Sequence, residues 1–127
     1  MARIYIAASY LRLAEARLLA ELLRQHGHRV VSRWQDVPAE ADYVLAESLM
    51  EGFAVEDMHQ VQSAEAVVCL TGDPPDRRSR GAKHVEVGGA LFTGKRVILL
   101  GPREHVFHYH PAVRVCRRAE ELLEVLT

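Results

Sequence analysis

The chain has 127 residues, 49% hydrophobic and 26% charged, which is the composition of a globular protein long enough for one core of ordinary size. Its formal charge is -1, from 16 basic and 17 acidic residues, which argues against nucleic acid or an anionic membrane as a partner. No apolar run reaches the roughly 20 residues that span a bilayer, and the first residues lack the layout of a signal peptide. We therefore expect one cytoplasmic domain, residues 1–127, in which Cys69 and Cys116 are reduced packing residues.

Strand patterns alternate with helical patterns along the whole chain. In order, we predict a strand at 3–8, a helix at 11–26 capped by Gly27, a strand at 29–32, a helical segment at 38–51, a loop around Gly52, a helix at 53–63, a strand at 66–71, a helix that starts near Ala82, strands at 96–100 and 113–116, and a helix at 119–126. The leucines of these helices, with Met50 and Met58, are expected to face the core. This alternation predicts a flavodoxin-like three-layer α/β sandwich with five parallel strands in the order 2-1-3-4-5.

Polar residues follow the predicted strands, where a parallel sheet of this kind binds its ligands. The binding crevice of such a sheet lies outside the carboxyl ends of the strands, at the point where the strand order reverses, here between strands one and three. The residues concerned are Ser9 and Tyr10 after strand one, Arg33 and Trp34 after strand two, the segment 73–80 after strand three and Arg103 after strand four.

Two carboxylates, Glu86 and Asp57, are expected at that same edge. Glu86 lies early in its helix beside the small residues Ala82, Gly89 and Ala90, a strip that indicates either close helix packing or room for a ligand. Asp57 lies in the early turns of a helix that runs antiparallel to the strands. Paired carboxylates in a crevice fit chemistry at a sugar carbon, where one attacks the anomeric centre and the other manages protons.

The neighbouring side chains could recognise the rest of a nucleotide. Tyr10 and Trp34 are of the type that stacks on a base, and Trp34 is predicted to line the pocket rather than the core. Arg12, Arg33 or Arg80 could bind a phosphate.

Several blocks of the sequence form a recognisable pattern. They are 4–9 (Ile-Tyr-Ile-Ala-Ala-Ser), 28–34 (His-Arg-Val-Val-Ser-Arg-Trp), Asp57-Met58 ahead of 63–66, and 84–90 (His-Val-Glu-Val-Gly-Gly-Ala) with Gly94-Lys95. This pattern resembles the nucleoside 2-deoxyribosyltransferase superfamily, which includes the 2'-deoxynucleoside 5'-monophosphate N-glycosidases. The similarity spans residues 4 to about 111, and the Glu-x-Gly-x-Ala motif is its most specific part. The segment 101–108 is similar to small transferase-like proteins of phages and bacteria.

The resemblance implies a retaining reaction at the N-glycosidic bond. Glu86 occupies the position of the nucleophile that forms a covalent 2-deoxyribosyl-enzyme, and Asp57 that of the aspartate that helps to protonate the departing base or orients the nucleophile. Ser9 matches a residue that holds the sugar or its 5'-phosphate, and Gly88 lies in the motif that contacts the substrate. A second base or water accepts the sugar, and no cofactor is needed. The resemblance also implies a homo-oligomer in which residues near 105–111 approach the site of the neighbouring subunit.

Two positions depart from the superfamily pattern. Arg80 stands where the transferases have an aspartate for the 5'-hydroxyl and the hydrolases a serine for the phosphate, and His84 replaces the usual glycine. An arginine favours an anionic 5' group, so we expect a nucleotide substrate. The same departures leave a second hypothesis open, a nucleotide-binding module of the same fold without catalysis. A third, a response or interaction domain, needs a phosphorylatable aspartate, and Asp73 is poorly placed for it beside Pro74.

The histidines allow two interpretations each. The grouping of His105, His108 and His110 suggests a metal cluster, but no acidic or cysteine ligand accompanies it, so we expect a loop at a subunit contact and no metal. His84 is either a substrate contact or proton carrier, or a hydrogen-bonding residue at the start of its helix.

Overall fold

Five parallel strands form the centre of the described part of the protein. The computed structural model describes residues 1–37 and 47–127. The sheet order is β2-β1-β3-β4-β5, so the order reverses between β1 and β3, and the predicted flavodoxin-like α/β topology is confirmed. The strands are β1 (Arg3–Ala7), β2 (Arg29–Val30), β3 (Ala66–Leu70), β4 (Arg96–Leu100) and β5 (Val113–Cys116).

Four helices within the described ranges flank the sheet. Within the described residues, no helix has both the length and the apolar character that crossing a bilayer demands. Helix α3 packs over β1, β3 and β4 and against α2, whereas α1 contacts β2 and α4 contacts β4 and β5. The helices are α1 (Leu13–Gln25), α2 (Glu47–Ser63), α3 (Ala82–Phe92) and α4 (Ala119–Leu126).

The central strands are apolar because both of their faces are covered. All five residues of β3 are buried, and so are four of the five residues of β1. Continuous apolar runs of this kind are typical of parallel sheets between helical layers. Their backbone groups are paired in register, with Ile4 opposite Ala66 and Ala7 opposite Cys69.

The predicted loop around Gly52 is wrong, because α2 runs through this position without a break. The helix spans Glu47–Ser63, whereas the sequence predicted a helix that begins only at residue 53. Glycine inside a helix costs only about 1 kcal/mol relative to alanine, and the nearby Met50, Glu51 and Ala54 are good helix formers. The first part of the helical segment predicted at 38–51 lies outside the described residues. Smaller differences are a 3-10 turn, Tyr10–Arg12, ahead of α1 and a second strand of only two residues.

Several residues that were predicted to be core are exposed. Met58 is 62% exposed and Met50 37%, and on the first helical segment Leu11 and Leu18 are 58% and 68% exposed. The reason is that each helix buries only one stripe. The buried positions of α1 are Ala16, Leu19, Ala20 and Leu23, and Val61 is buried on α2.

Gly101 allows the ends of β3 and β4 to approach each other closely, which leads to a first prediction. Its φ is +134°, and a β-carbon at this position would lie 2.5 Å from Oγ1 and 2.6 Å from the carbonyl oxygen of Thr71. We expect Gly101→Ala to lower the free energy of unfolding by about 3 kcal/mol, through backbone strain and overlap. Urea denaturation measures the change.

Gly27→Ala is the matched control. Gly27 also has a positive φ, +84°, but an added β-carbon would meet nothing within 4 Å. Gly27→Ala should lower the free energy of unfolding by only about 1 kcal/mol, which is the strain of a left-handed backbone at a residue with a β-carbon. Equal losses in the two variants would contradict the role of the Thr71 contact.

Candidate active site

Glu86 lies on the side of α3 that faces α2. The helix begins after Gly81, whose φ is +112°, and its buried residues Lys83, Val87 and Ala90 face the sheet. Glu86 is one position away from Val87, so its side chain is rotated by about 100° from this buried stripe. Gly89 lies on the same side, since a β-carbon there would be 3.9 Å from Cγ1 of Val61 in α2. The small residue thus lies at the contact between the two helices.

The carboxylate of Glu86 is held by a residue of the central strand. The hydroxyl of Tyr5 donates a hydrogen bond to Oε2 of Glu86, and Tyr5 itself is fully buried in β1. Burial raises the pKa of Glu86 to about 8, although the hydrogen bond from Tyr5 acts to lower it and the negative charge of Asp57 raises it further. Glu86 therefore retains its proton at neutral pH in the free protein.

Asp57 is the second carboxyl group of this site. It lies on α2 four residues before Val61, and so on the side of α2 that packs against α3. Burial raises its pKa to about 6, with a further contribution from the charge of Glu56, while Arg33 acts in the opposite direction. The negative charge of Asp57 contributes to the raised pKa of Glu86, so the two groups interact electrostatically. The structure thus brings together the two carboxyl groups that the sequence singled out.

His84 and Gly88, in contrast, lie on another side of α3. Both line a groove of about 720 Å³ together with residues of the segment 105–110. Each is two positions from Glu86, and two helical positions correspond to about 200° of rotation. The two residues thus lie at this groove and on a different side of the helix from Glu86, and their role as substrate contacts stays a prediction.

The residues after β1 and β2 are more structural than expected. Ser9 is buried, and its Oγ accepts a hydrogen bond of 3.3 Å from the amide of Leu11, which caps the first 3-10 turn. Trp34 was predicted to line the pocket, but it is 7% exposed and belongs to the core, because its turn directs the indole Nε1–H onto the carbonyl of Ile6 at 2.7 Å. Tyr10 remains partly exposed beside it, with 6.5 Å between the ring centroids.

The arginines differ in how far their charge is already paired. Arg33 makes two contacts with the carboxylate of Glu56, at 2.5 and 3.1 Å. Arg12 donates to Asp73 and to the carbonyl of Thr71, each at 3.0 Å. Arg80 is exposed and forms no ion pair across the part of the chain that the structure describes. Among these three arginines, Arg80 is therefore the one whose guanidinium could bind an anionic ligand without first breaking an ion pair.

Sequence reasoning missed a buried charge cluster at the carboxyl edge of the sheet. The Lys83 ammonium is 2% exposed and lies 3.1 Å from Asp73 and 3.0 Å from Glu104. Asp73 also pairs with Arg12 at 3.0 Å. The available signal was that Asp73 and Glu104 both follow strands, with Lys83 at the start of the helix between them. Tyr5 was also missed, although a tyrosine in an otherwise aliphatic strand is a signal, because its buried hydroxyl needs a partner.

The histidines that could hold a metal ion are not the three that the sequence grouped. Nitrogen atoms of His84, His105 and His108 lie within 4.8 Å of one another. His110 is outside this group, and its Nδ1 accepts a hydrogen bond from the amide of Ala112. The pKa values of His84 and His108 are lowered, in each case mainly by burial. These two rings are therefore neutral at pH 7.

The fold of this chain is similar to that of several solved structures. No family model matches the chain, and no curated protein sequence does. The chain is similar to a 2-deoxyribosyltransferase of Bacillus psychrosaccharolyticus, with a TM-score of 0.67 and 18% identity over 96% of this chain and 90% of the other. It is also similar to a CMP N-glycosidase of Clostridium botulinum, with a TM-score of 0.58 and 20% identity over 98% of this chain and 97% of the other. A conserved protein of Enterococcus faecalis V583 matches with a TM-score of 0.67 and 20% identity over 98% of this chain and 96% of the other. The resemblance inferred from the sequence is thus confirmed at the level of the fold.

The burial of Glu86 predicts how stability depends on pH. Its pKa in the folded protein is about 8, above the ordinary value of 4.5, so folding favours the protonated form. The stabilisation from this proton is complete below pH 4.5 and is lost as the pH rises to about 8. Glu86→Gln keeps a neutral group at every pH. We expect its free energy of unfolding, relative to that of wild type, to increase by about 1 to 3 kcal/mol as the pH rises from 4.5 to 8. Urea denaturation at several pH values measures the difference.

Glu51→Gln controls for the loss of a negative charge on this side of the protein. Glu51 is an exposed residue of α2. The difference in unfolding free energy between this variant and wild type should stay nearly constant over the same pH range. If Glu86→Gln gave an equally flat difference, Glu86 would not be desolvated as described.

Proposed function

We propose that the protein cleaves or transfers the N-glycosidic bond of a 2'-deoxynucleoside or its 5'-monophosphate, and that it belongs to the nucleoside 2-deoxyribosyltransferase superfamily. The observation that carries the proposal is the contact of Glu86 with Tyr5 at a site that also includes Asp57. The structural neighbours include a deoxyribosyltransferase and a CMP N-glycosidase, which act on bonds of this type. Both support the proposed reaction class.

The two carboxyl groups are poised to hold one proton between them near neutral pH. With pKa values of about 6 for Asp57 and about 8 for Glu86, the pair is singly protonated at pH 7. Glycosidic cleavage with a covalent intermediate needs both a carboxylate that attacks and an acid that protonates the leaving group. In the free site the proton is on Glu86, so substrate binding must shift it towards Asp57 and the base.

In the proposed reaction, an ionised oxygen of Glu86 attacks C1' of the deoxyribose. The bond between C1' and the base nitrogen breaks, its electron pair goes to the base, and the base takes the proton delivered through Asp57. Water then attacks C1', breaks the ester to Glu86 and returns a proton to the pair. If a second base takes the place of water, its nitrogen attacks C1', the ester to Glu86 breaks, the hydrogen of that nitrogen returns to the pair as a proton, and a new nucleoside is released. The hydrogen bond from Tyr5 keeps the attacking carboxylate in one orientation.

The 5' end of the substrate is proposed to be anionic. Arg80 precedes the first turn of α3 and keeps an exposed, unpaired guanidinium among the described residues. The amino end of a helix also favours a negative group. We therefore propose a nucleoside 5'-monophosphate as substrate, with Tyr10 as a contact for the base, Ser9 for the sugar or its phosphate, and Arg33 as a peripheral contact because Glu56 already pairs with it.

Assays of wild type and two variants test this function. The common 2'-deoxynucleosides and their monophosphates, with and without an acceptor base, are followed by chromatography. Glu86→Gln should lower turnover at least about 1000-fold, and Asp57→Asn about 100-fold. The plot of kcat/KM against pH should fall below about 6 and above about 8, since activity needs the singly protonated pair.

Glu51→Gln should retain full activity. Full activity in Glu86→Gln would refute the role of this residue. Binding of a monophosphate by calorimetry without turnover of any substrate would favour the alternative, a nucleotide-binding module of the same fold without catalysis.

We further propose that the protein is a homo-oligomer in the cytoplasm. Exposed apolar side chains cluster on α3 and on the segment after β4, and both cysteines are free thiols, as in a reducing compartment. Light scattering should give a mass of at least twice the 14.3 kDa of the monomer. The double variant Phe92→Glu, Phe107→Glu should give a lower measured mass than wild type. A monomeric wild type would contradict this proposal. The exposed residues are Val85, Phe92, Val106, Phe107 and Tyr109.

A further inference from the structure

Three imidazole rings converge between α3 and the loop that follows β4. His84 lies in the first turn of α3, His105 directly precedes a 3-10 turn, Val106–Tyr109, and His108 belongs to that turn. The Nε2 atom of His105 is 3.1 Å from the Nδ1 atom of His84, and the ring centroids of His105 and His108 are 3.8 Å apart. Residues that are far apart in the sequence thus bring three possible metal ligands together.

The cluster contains buried polar atoms that have no partner. His108 is fully buried, and its Nδ1 accepts a hydrogen bond of 2.9 Å from the amide of Glu104, while its Nε2 has no partner among the described residues. Nδ1 of His105 is also buried and unpaired within that part of the chain. Leaving such an atom unpaired is unfavourable, so a ligand that binds Nε2 of His108 would be bound with a gain in stability.

We propose that His84, His105 and His108 form a binding site for a divalent transition-metal ion of the zinc type. Imidazole nitrogens suit Zn²⁺, Ni²⁺ and Cu²⁺, whereas Mg²⁺ and Ca²⁺ prefer oxygen ligands. Two nitrogens that each lie about 2.0–2.1 Å from one zinc ion are separated by about 3 to 3.5 Å. The 3.1 Å between His84 and His105 falls within this range, and a small rotation of the rings completes the group.

Binding requires the hydrogen of the neutral His108 ring to change place, because a neutral imidazole binds a metal ion through the nitrogen that carries no hydrogen. In the metal-free protein Nδ1 of His108 accepts from the Glu104 amide and the hydrogen is on Nε2; when Nε2 binds the ion, the hydrogen moves to Nδ1 and the contact with that amide breaks. Between His84 and His105, the ring that donates in the 3.1 Å contact likewise moves its hydrogen to its other nitrogen, so both nitrogens of the contact can bind the ion and no hydrogen is gained or lost. No oxidation or reduction takes part.

The surroundings allow the ion to enter and do not carry a large opposing charge. His84 and His105 line the groove of about 720 Å³, which gives a path from solvent and room for a water molecule as fourth ligand. The charges that act on His84 are those of Lys83, Glu104 and Asp73, and the ammonium is neutralised by the two carboxylates at 3.0 and 3.1 Å. One further positive charge is close, because Nε of Arg103 donates to the carbonyl of His108 at 3.1 Å. The cluster lies on a different side of α3 from Glu86, so the proposal does not depend on the proposed reaction.

The test is a titration of the full chain, prepared without a polyhistidine tag and treated with chelator, with Zn²⁺ in a calorimeter. Wild type should bind one ion with a dissociation constant in the micromolar range or below, and its Tm should rise. His84→Ala and His105→Ala should each weaken binding at least about 10-fold and abolish the rise in Tm. Thermal unfolding of the metal-free variants checks that they are folded, and both residues are only half-buried, which favours this.

His110→Ala is the matched control, because this histidine lies in the same loop but outside the cluster. It should bind Zn²⁺ as wild type does. Absence of binding in wild type overturns the proposal, and so does an equal loss in His110→Ala, which would indicate unspecific chelation by surface histidines. Because the readout is zinc affinity, failure of the proposed enzyme assays leaves this result unaffected.

Discussion

The hydrogen bond between Tyr5 and Glu86 links the centre of the sheet to the helix that covers it. Tyr5 comes from a strand in which every residue except Arg3 is buried, so the position of its hydroxyl is fixed by the packing of the core. A carboxyl group bound to such a donor has one orientation and little water. Its raised pKa follows from this burial, and the nearby Asp57 raises it further because two negative charges in a shared, poorly hydrated place repel each other. The same packing that stabilises β1 therefore determines the protonation state of the site.

Helix α3 carries three different surfaces within 11 residues, and the periodicity of the helix separates them. Lys83 and Val87 face the sheet, Glu86 and Gly89 face α2, and His84 and Gly88 face the groove beside the loop after β4. Residues that are adjacent in the motif thus serve different parts of the molecule. A motif read as a linear string suggests one shared surface, whereas the rotation of the helix distributes its residues over three.

The sequence was a good guide where a pattern depends on local periodicity. The order of the strands, the bounds of β4, β5 and α4, and the convergence of Glu86 with Asp57 could all be predicted, because apolar runs and helical spacing leave few alternatives. Trp34 could not be assigned correctly, since its burial depends on a 3-10 turn that brings it to the carbonyl of Ile6. Met58 was misassigned because an apolar residue does not by itself indicate whether its side of the helix meets the sheet or solvent.

The rotation of α3 itself depends on Lys83. Burial acts to lower the pKa of this ammonium, yet the ion pairs with Glu104 and Asp73 raise it overall, so it remains charged under the first turn of the helix. A buried charge of this kind tolerates no rotation of the helix, because moving it away from either carboxylate would leave an unpaired ion in the interior. Glu86 lies three positions further along, so the ion pairs that hold Lys83 also direct Glu86 towards Tyr5. The electrostatics of the sheet edge and those of the carboxyl pair are in this way parts of one arrangement.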